Sequence, residues 1–178
     1  GGGRGGGGFG GGALLQSVSP WLTATINDLG RSILNPVQMG VGQITGGTSA
    51  GLYLSDNVYL TTQTRTTSVE TIDQMVMTVS GTTTASPATS LTLNIEGRAG
   101  PRLSWCAVEM RNQVTNTLVN VGGFFLTRTD VFQTIAVPSP SSYVRSDGAV
   151  ELRLRVNPLS DEVVKFNTFW DTIRIVGQ

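Results

Sequence analysis

The stretch DGAVELRLRV, residues 147–156, decides the fold that we predict for this chain. Asp147 and Gly148 are a favoured turn pair, and from Val150 onward apolar residues alternate strictly with charged ones. Such alternation predicts a half-buried β-strand, with one side against a core and the other in water. The predicted core side consists of Val150, Leu152, Leu154 and Val156. The predicted solvent side carries Glu151, Arg153 and Arg155. A strand of this kind needs a second layer of structure to cover its apolar side.

Short segments of the same kind recur at near-regular spacing from Val37 onward, and turn residues separate them. These further predicted strands cover 59–65, 74–80, 90–97, 103–112, 118–121, 131–137 and 166–176. Their predicted core residues include Met75, Met77, Val79, Leu91, Leu93, Ile95, Cys106, Val108 and Met110. Because no convincing helix follows residue 35, we predict an all-β fold, a two-sheet antiparallel β-sandwich that is jelly-roll-like. A closed barrel is the alternative.

By composition the chain divides into three parts. Residues 1–12, GGGRGGGGFGGG, form a glycine-rich tract whose backbone entropy opposes ordering. Residues 13–36 form an apolar segment that fits a helix and a strand equally well, and we expect it to serve in assembly or as a linker. Residues 37–178 form the predicted β-sandwich domain, so the glycine-rich tract is its N-terminal extension.

The composition argues against several classes of function. The chain has 12 Lys+Arg, 12 Asp+Glu, no His and one Cys. Without His, and with a single Cys, the commonest general base and the usual zinc ligands are missing. A formal net charge of zero provides no basic field for phosphates, so we expect no nucleic-acid partner and no cofactor. No apolar run reaches the length of a membrane span, and the Thr-rich, Lys-poor composition favours an extracellular or cell-surface location.

Five segments carry a resemblance to a known kind of module. They are GLYLSDNVYLTTQTR (51–65), SLTLNIEGRAG (90–100), AVEMRNQVTNTLVNV (107–121), YVRSDGAVELRLRVNP (143–158) and FNTFWDTIRIV (166–176). In order and spacing they resemble a jelly-roll module of uncharacterised secreted bacterial proteins, which is similar to carbohydrate-binding and surface-structure jelly rolls. The resemblance implies a β-sandwich over residues 37–177 and a role in adhesion, glycan contact or assembly. It implies no catalytic residue.

Carboxylate pairs would be the signal of a glycosidase, because glycoside hydrolysis needs two of them facing a sugar. Asp161 and Glu162 are adjacent in a polar loop and would point apart. Glu109 and Glu151 lie on the polar sides of strands whose neighbouring residues include Arg111, Arg153 and Arg155, and this pattern predicts cross-strand ion pairs. We therefore predict no catalytic residue and no enzyme activity.

A calcium site could draw on the scattered oxygen ligands Asp56, Asn57, Asp161 and Asp171, because hard cations accept such ligands. The sequence has no contiguous acidic loop, however, and Asp56 and Asn57 better fit a role in capping a turn. We predict no metal site.

Three aromatic residues are candidates for a platform that contacts a glycan or another subunit: Trp105, Tyr143 and Trp170. In a regular strand Trp105 would be opposite in phase to Val108, and Trp170 opposite to Ile173, so we expect both tryptophans to face outward. Exposed aromatic rings suit sugars and protein interfaces alike. Ordinary core packing is the alternative for all three.

Two hypotheses for function follow from these observations. The first is a structural subunit of an extracellular homopolymer, a filament, sheath or surface layer, whose N-terminal segment packs on copies of the same chain. The assembly residues would be Phe9, Leu14, Leu15, Val18, Trp21, Leu22 and Ile26. The alternative is a carbohydrate-binding or adhesion module that uses the aromatic platform, with the glycine-rich tract as a linker.

Overall fold

The structure, a computed structural model, describes residues 37–52, 55–66, 73–82, 87–159 and 165–177. Within these ranges the chain forms eleven strands and two short 3-10 helices. The strands are β1 Val37–Val41, β2 Gln43–Gly46, β3 Leu60–Gln63, β4 Arg65–Thr66, β5 Asp73–Thr82, β6 Leu91–Gly100, β7 Ser104–Asn112, β8 Thr117–Leu126, β9 Val131–Ala136, β10 Ala149–Pro158 and β11 Asn167–Gly177. The 3-10 helices are Ser49–Leu52 and Pro140–Ser142. This part of the chain has no helix that is long and apolar enough to cross a membrane.

The strands form two antiparallel sheets. The first sheet has the order β1-β5-β10-β7-β8, with the short strand β4 also paired to β5, and the second has the order β2-β3-β11-β6-β9. The predicted all-β, two-sheet antiparallel sandwich is confirmed. Strands β10 and β11 lie in the middle of their sheets, so each of them pairs on both sides.

The core lies between the inner faces of the two sheets. Every residue that alternation assigned to the core side of a strand is buried, and Leu152, Leu154, Met75 and Met77 have no exposed surface. Burying a side chain of this size contributes about 1.5–3 kcal/mol to stability. Cys106 lies among these side chains, and burial raises the pKa of its thiol, so it stays protonated and packs as a small apolar residue.

A β-bulge in β11 changes which of its side chains face the core. Trp170 pairs with Gly97 and Thr172 pairs with Glu96, so Asp171 is an extra residue between them. The bulge turns Trp170 and Ile173 to the same side, and both are buried. The predicted outward position of Trp170 is therefore wrong, because the prediction assumed an unbroken strand.

The extra residue of the bulge ties a loop to the second sheet. The Asp171 carboxylate is 1% exposed and accepts hydrogen bonds from the backbone N–H groups of Asp56, at 3.1 Å, and Asn57, at 3.0 Å. Asp56 in turn accepts a hydrogen bond from the N–H of Val58 at 3.1 Å, which confirms its predicted role in capping a turn.

Candidate functional site

The outer face of the first sheet carries the best candidate for a binding site. Across β5, β10, β7 and β8 the side chains that point away from the core form one continuous surface with polar, charged and aromatic groups. We call this surface the Trp105 face, and define it by Gln74, Val76, Trp105, Ala107, Glu109, Arg111, Gly123, Phe125, Glu151, Arg153, Arg155 and Asn157. Since neighbouring strands lie about 4.8 Å apart, the four strands spread these groups over a width of about 14 Å.

Trp105 and Phe125 form an aromatic pair at one end of this face. They lie opposite each other on β7 and β8, with ring centroids 4.9 Å apart and an edge-to-face angle of 71°. A Cβ atom on Gly123 would lie 2.3 Å from Cζ2 of Trp105, so the indole occupies the space that a side chain at this position would need. The glycine thus lets the indole lie against the sheet. Trp105 is partly exposed and Phe125 is 51% exposed, so the pair can contact a ligand.

Replacing Gly123 by alanine is expected to displace the Trp105 indole from the sheet, because a Cβ there would lie 2.3 Å from Cζ2 of this partly exposed side chain. The backbone oxygen of Cys106, at 3.0 Å, would have to move by only a few tenths of an ångström, so the sandwich should stay folded. The Trp105 fluorescence should change, and binding through the aromatic pair should weaken several-fold. Fluorescence spectra, and titration with any ligand that is found to bind the Trp105 face, check this. Gly46→Ala is the control, because a Cβ there would meet Thr61 at an ordinary 3.6 Å. Equal effects of the two variants would contradict the prediction.

Charged residues occupy the other part of the Trp105 face. Arg153 donates to the Glu109 carboxylate, and Arg111 donates twice to Glu151, at 2.7 and 3.3 Å. The predicted cross-strand ion pairs are confirmed. Hydrogen bonding to Glu151, and then the Coulombic attraction, raises the pKa of Arg111, so this guanidinium stays charged. The acidic residues of this face therefore serve as partners of arginines.

An amide pair lies beside the aromatic pair. Gln74 is 6% exposed and donates from Nε2 to Oδ1 of Asn157 at 2.8 Å. Asn157 lies directly opposite Trp105 in the register of β10 and β7, and it is partly exposed. An amide beside an aromatic ring combines an apolar contact with hydrogen-bonding groups, which is the combination that small-molecule sites use.

The outer face of the second sheet has an aromatic pair of its own, but an arginine side chain already covers it. Tyr59 and Phe169 meet edge to face at 5.9 Å, and the Arg98 guanidinium lies 4.9 Å and 4.1 Å from their centroids. The Tyr59 hydroxyl donates to Asp130 at 2.7 Å, and this hydrogen bond, ahead of desolvation, raises the Tyr59 pKa. A ligand could stack on these rings after displacing Arg98.

A cavity of about 220 Å³ lies where the chain crosses between the sheets. It is lined by Gly42, Gln43, Gln63, Thr64, Arg65 and Lys165. No aromatic side chain is among these residues, so the cavity offers no stacking surface for a sugar ring.

The three aromatic residues of the predicted platform do not lie together in the structure. Trp105 lies on the outer face of the first sheet, whereas Trp170 is fully buried and Tyr143 is 5% exposed. Neither Trp170 nor Tyr143 can offer a ring face, so the predicted platform loses both. Phe125 was missed because the predicted strand ended at Val121. In the structure β8 continues past the two glycines that follow, and its side chains still point alternately to the core and to the outer face.

Other sequence predictions fall outside the described ranges. This holds for the assembly residues Phe9, Leu14, Leu15, Val18, Trp21, Leu22 and Ile26, and for the loop carboxylates Asp161 and Glu162. Among the described residues no three His, Cys, Asp or Glu side chains come together in a group that could hold a metal ion.

Comparison with known proteins gives structural similarity without sequence similarity. No protein-family model matches the chain, and no curated protein matches it in sequence. The structure is similar to a family 61 carbohydrate-binding module solved in complex with β-1,4-galactotriose, with a TM-score of 0.50, 8% identity, and coverage of 80% of this chain and 87% of that one. It is also similar to part of an exo-β-agarase, with a TM-score of 0.55 and 9% identity, covering 87% of this chain and 25% of that one.

A family 30 carbohydrate-binding module from a cellulase of Clostridium thermocellum aligns more loosely, with a TM-score of 0.46, 11% identity, and coverage of 79% of this chain and 91% of that one. At such identities the likeness shows a shared fold. The predicted resemblance is thus confirmed at the level of the β-sandwich, which this chain shares with carbohydrate-binding modules.

Proposed function

We propose that this domain binds a glycan on the Trp105 face. The observation that carries the proposal is the Trp105–Phe125 pair, which lies on the outer face of the sheet and is flanked by hydrogen-bonding side chains. The fold that this chain shares with a carbohydrate-binding module supports the proposal, since that module was solved in complex with β-1,4-galactotriose.

The arrangement would bind a sugar through two kinds of contact. The apolar face of a pyranose ring would pack on the aromatic pair, and this contact removes apolar surface from water. Hydroxyl groups of the same or the next sugar would exchange hydrogen bonds with Asn157 and Arg155, whose side chains are partly exposed. None of these contacts requires a nucleophile or an acid–base pair, so the proposed activity is binding without catalysis.

The test replaces Trp105 by alanine and measures binding to a panel of soluble polysaccharides by affinity gel electrophoresis, followed by calorimetry with the glycan that binds best. We expect at least a roughly tenfold loss of affinity, equivalent to about 1.4 kcal/mol, because the stacking surface is removed. Phe132→Ala is the matched control, because Phe132 is 54% exposed but lies on β9, in the other sheet. A panel without any bound glycan, or equal losses in the two variants, would refute the proposal.

The homopolymer hypothesis depends on residues 1–36, which the structure does not describe, and it stays a prediction. The extracellular location likewise stays a prediction. A glycan-binding domain could coexist with an assembly segment, so support for one function would not exclude the other.

A further inference from the structure

We propose that the Trp105 face prefers glycans that carry an anionic substituent, a carboxylate or a sulfate ester, and that Arg155 contacts this group. The inference rests on the proposed function, since it specifies which sugars the same surface would select. It is carried by the charge balance of the face, by the pairing of its arginines and by the position of Arg155 beside the aromatic pair.

The Trp105 face has more positive than negative groups, although the whole chain has a formal net charge of zero. Three arginines, Arg111, Arg153 and Arg155, lie on it with two glutamates, Glu109 and Glu151, which leaves one positive charge in excess. All five side chains are between 15% and 34% exposed, so water screens them less than it screens fully exposed groups. A local excess of this kind favours a ligand of negative charge.

The excess charge is located at Arg155 by the way the arginines are paired. Arg111 makes two hydrogen bonds to Glu151 and a third to the carbonyl of Asn116, at 3.1 Å. Arg153 donates from Nε to one oxygen of Glu109. Arg155 comes no closer than 3.6 Å to the other oxygen of Glu109, which is beyond hydrogen-bond distance. Its Nε has no hydrogen-bond partner either, but that atom is buried, so a ligand would bind through the terminal Nη atoms of this partly exposed side chain.

Glu109 therefore lies near the guanidinium groups of both Arg153 and Arg155, but it accepts a hydrogen bond only from Arg153. Arg155 is also the most exposed of the five charged side chains, at 34%, compared with 15% for Glu109. A guanidinium with unused N–H donors can bind a carboxylate or a sulfate through two parallel hydrogen bonds.

Arg155 lies close to the aromatic pair on the Trp105 face. In the first sheet Arg155 lies between Val76 on β5 and Ala107 on β7, and both are short side chains. Trp105 lies two residues before Ala107 on the same strand, so its Cβ is about 7–8 Å from that of Arg155, within the reach of a long side chain. A charged substituent on a sugar packed against Trp105 would thus lie close to the Arg155 guanidinium.

The test uses the full chain and two backbones, β-1,4-galactan and β-1,4-glucan, each in a neutral, a C6-oxidised and a sulfated form. We expect an anionic form to bind at least tenfold more tightly than its neutral parent, and this advantage to shrink as salt is added. A preference for the C6-oxidised form identifies a carboxylate as the ligand group, and a preference for the sulfated form identifies a sulfate ester.

Three variants locate the effect. Arg155→Gln should abolish the preference for the anionic form, and Arg155→Lys should retain part of it, because the charge remains while the two-donor geometry is lost. Arg174→Gln removes the same charge from the opposite outer face and should leave the preference intact.

The outcomes separate this inference from the proposed function. Equal binding of neutral and anionic forms, with affinity still lost in Trp105→Ala, would overturn the inference and leave glycan binding in place. An anionic preference that survives Arg155→Gln would overturn the role of Arg155. Failure of all six polysaccharides to bind would overturn the inference, and the broader panel with Trp105→Ala would then decide the proposed function.

Discussion

Replacing Trp170 by alanine is expected to lower the free energy of unfolding by about 3–5 kcal/mol, the usual cost of truncating a large buried aromatic residue. Trp170 has no exposed surface, and its Nε1 donates to the Thr168 hydroxyl at 2.9 Å inside the core. The variant would lose the packing of the indole around the centre of β11 and leave a cavity between the sheets. A domain of this size is stable by about 5–15 kcal/mol, so this loss would be a large part of the total.

Urea unfolding followed by far-UV circular dichroism measures the effect of Trp170→Ala. The matched control is Trp105→Ala, which removes the same side chain from the outer face and should cost less, because Trp105 is partly exposed and its loss leaves no closed cavity between the sheets. The two variants should therefore separate stability from binding, with Trp170 needed for the first and Trp105 for the second. A similar loss of stability in both would contradict the assignment of the two faces.

Replacing Gly97 by alanine is expected to destabilise the sandwich by about 1–3 kcal/mol, although the change adds a single methyl group. A Cβ at this position would lie 2.8 Å from the carbonyl oxygen of Phe169 and 2.8 Å from Cε3 of Trp170. The backbone of β11 and the ring of a packed tryptophan would both have to move, and neither has free space beside it.

Thermal unfolding of Gly97→Ala and Gly46→Ala checks this prediction. Gly46 also lies in a strand of the second sheet, but a Cβ there would meet Thr61 at 3.6 Å, a normal contact distance. We expect the Tm of Gly97→Ala to fall by several degrees and that of Gly46→Ala to change little. A Tm for Gly97→Ala equal to that of the unchanged chain would show that β6 and β11 are less tightly packed than the structure indicates.

The regular strands could be predicted from sequence because their apolar core residues and their polar outward residues both follow the same period of two. Leu152 and Leu154 on β10, like Cys106 and Val108 on β7, face the core, and their polar neighbours Arg153 and Glu109 pair across the outer surface. The apolar and the polar positions of the pattern support each other, so alternation predicts the strands, their core sides and the charged residues that face one another on the outer surface.

The composition of the binding platform could not be predicted in the same way. Trp170 changes side because Asp171 is an extra residue in the strand, and the groups that Asp171 binds lie 115 and 114 residues away, at Asp56 and Asn57. Nothing in the local sequence signals such a partner. Alternation also fails to distinguish a tryptophan on the outer face of a sheet, such as Trp105, from one in the core between the sheets, such as Trp170.

Phe125 was missed for a related reason. Gly122 and Gly123 have the composition of a turn, but in β8 they allow close packing on opposite sides. A Cβ on Gly122 would lie 3.1 Å from Ile135 in the core, whereas one on Gly123 would meet Trp105 on the outer face. At each of the two positions a side chain on another strand occupies the space that a larger residue would need.

The central positions of β10 and β11 have a consequence for biosynthesis. Along the chain they follow the other nine strands, yet they are the strands to which β3, β5, β6 and β7 pair. A nascent chain leaving the ribosome therefore exposes the apolar sides of the earlier strands before their partners have been translated. The first sheet is complete only after β10 has emerged, and the second only after β11, which ends at Gly177. This domain should therefore fold late and depend on protection from aggregation while it is being made.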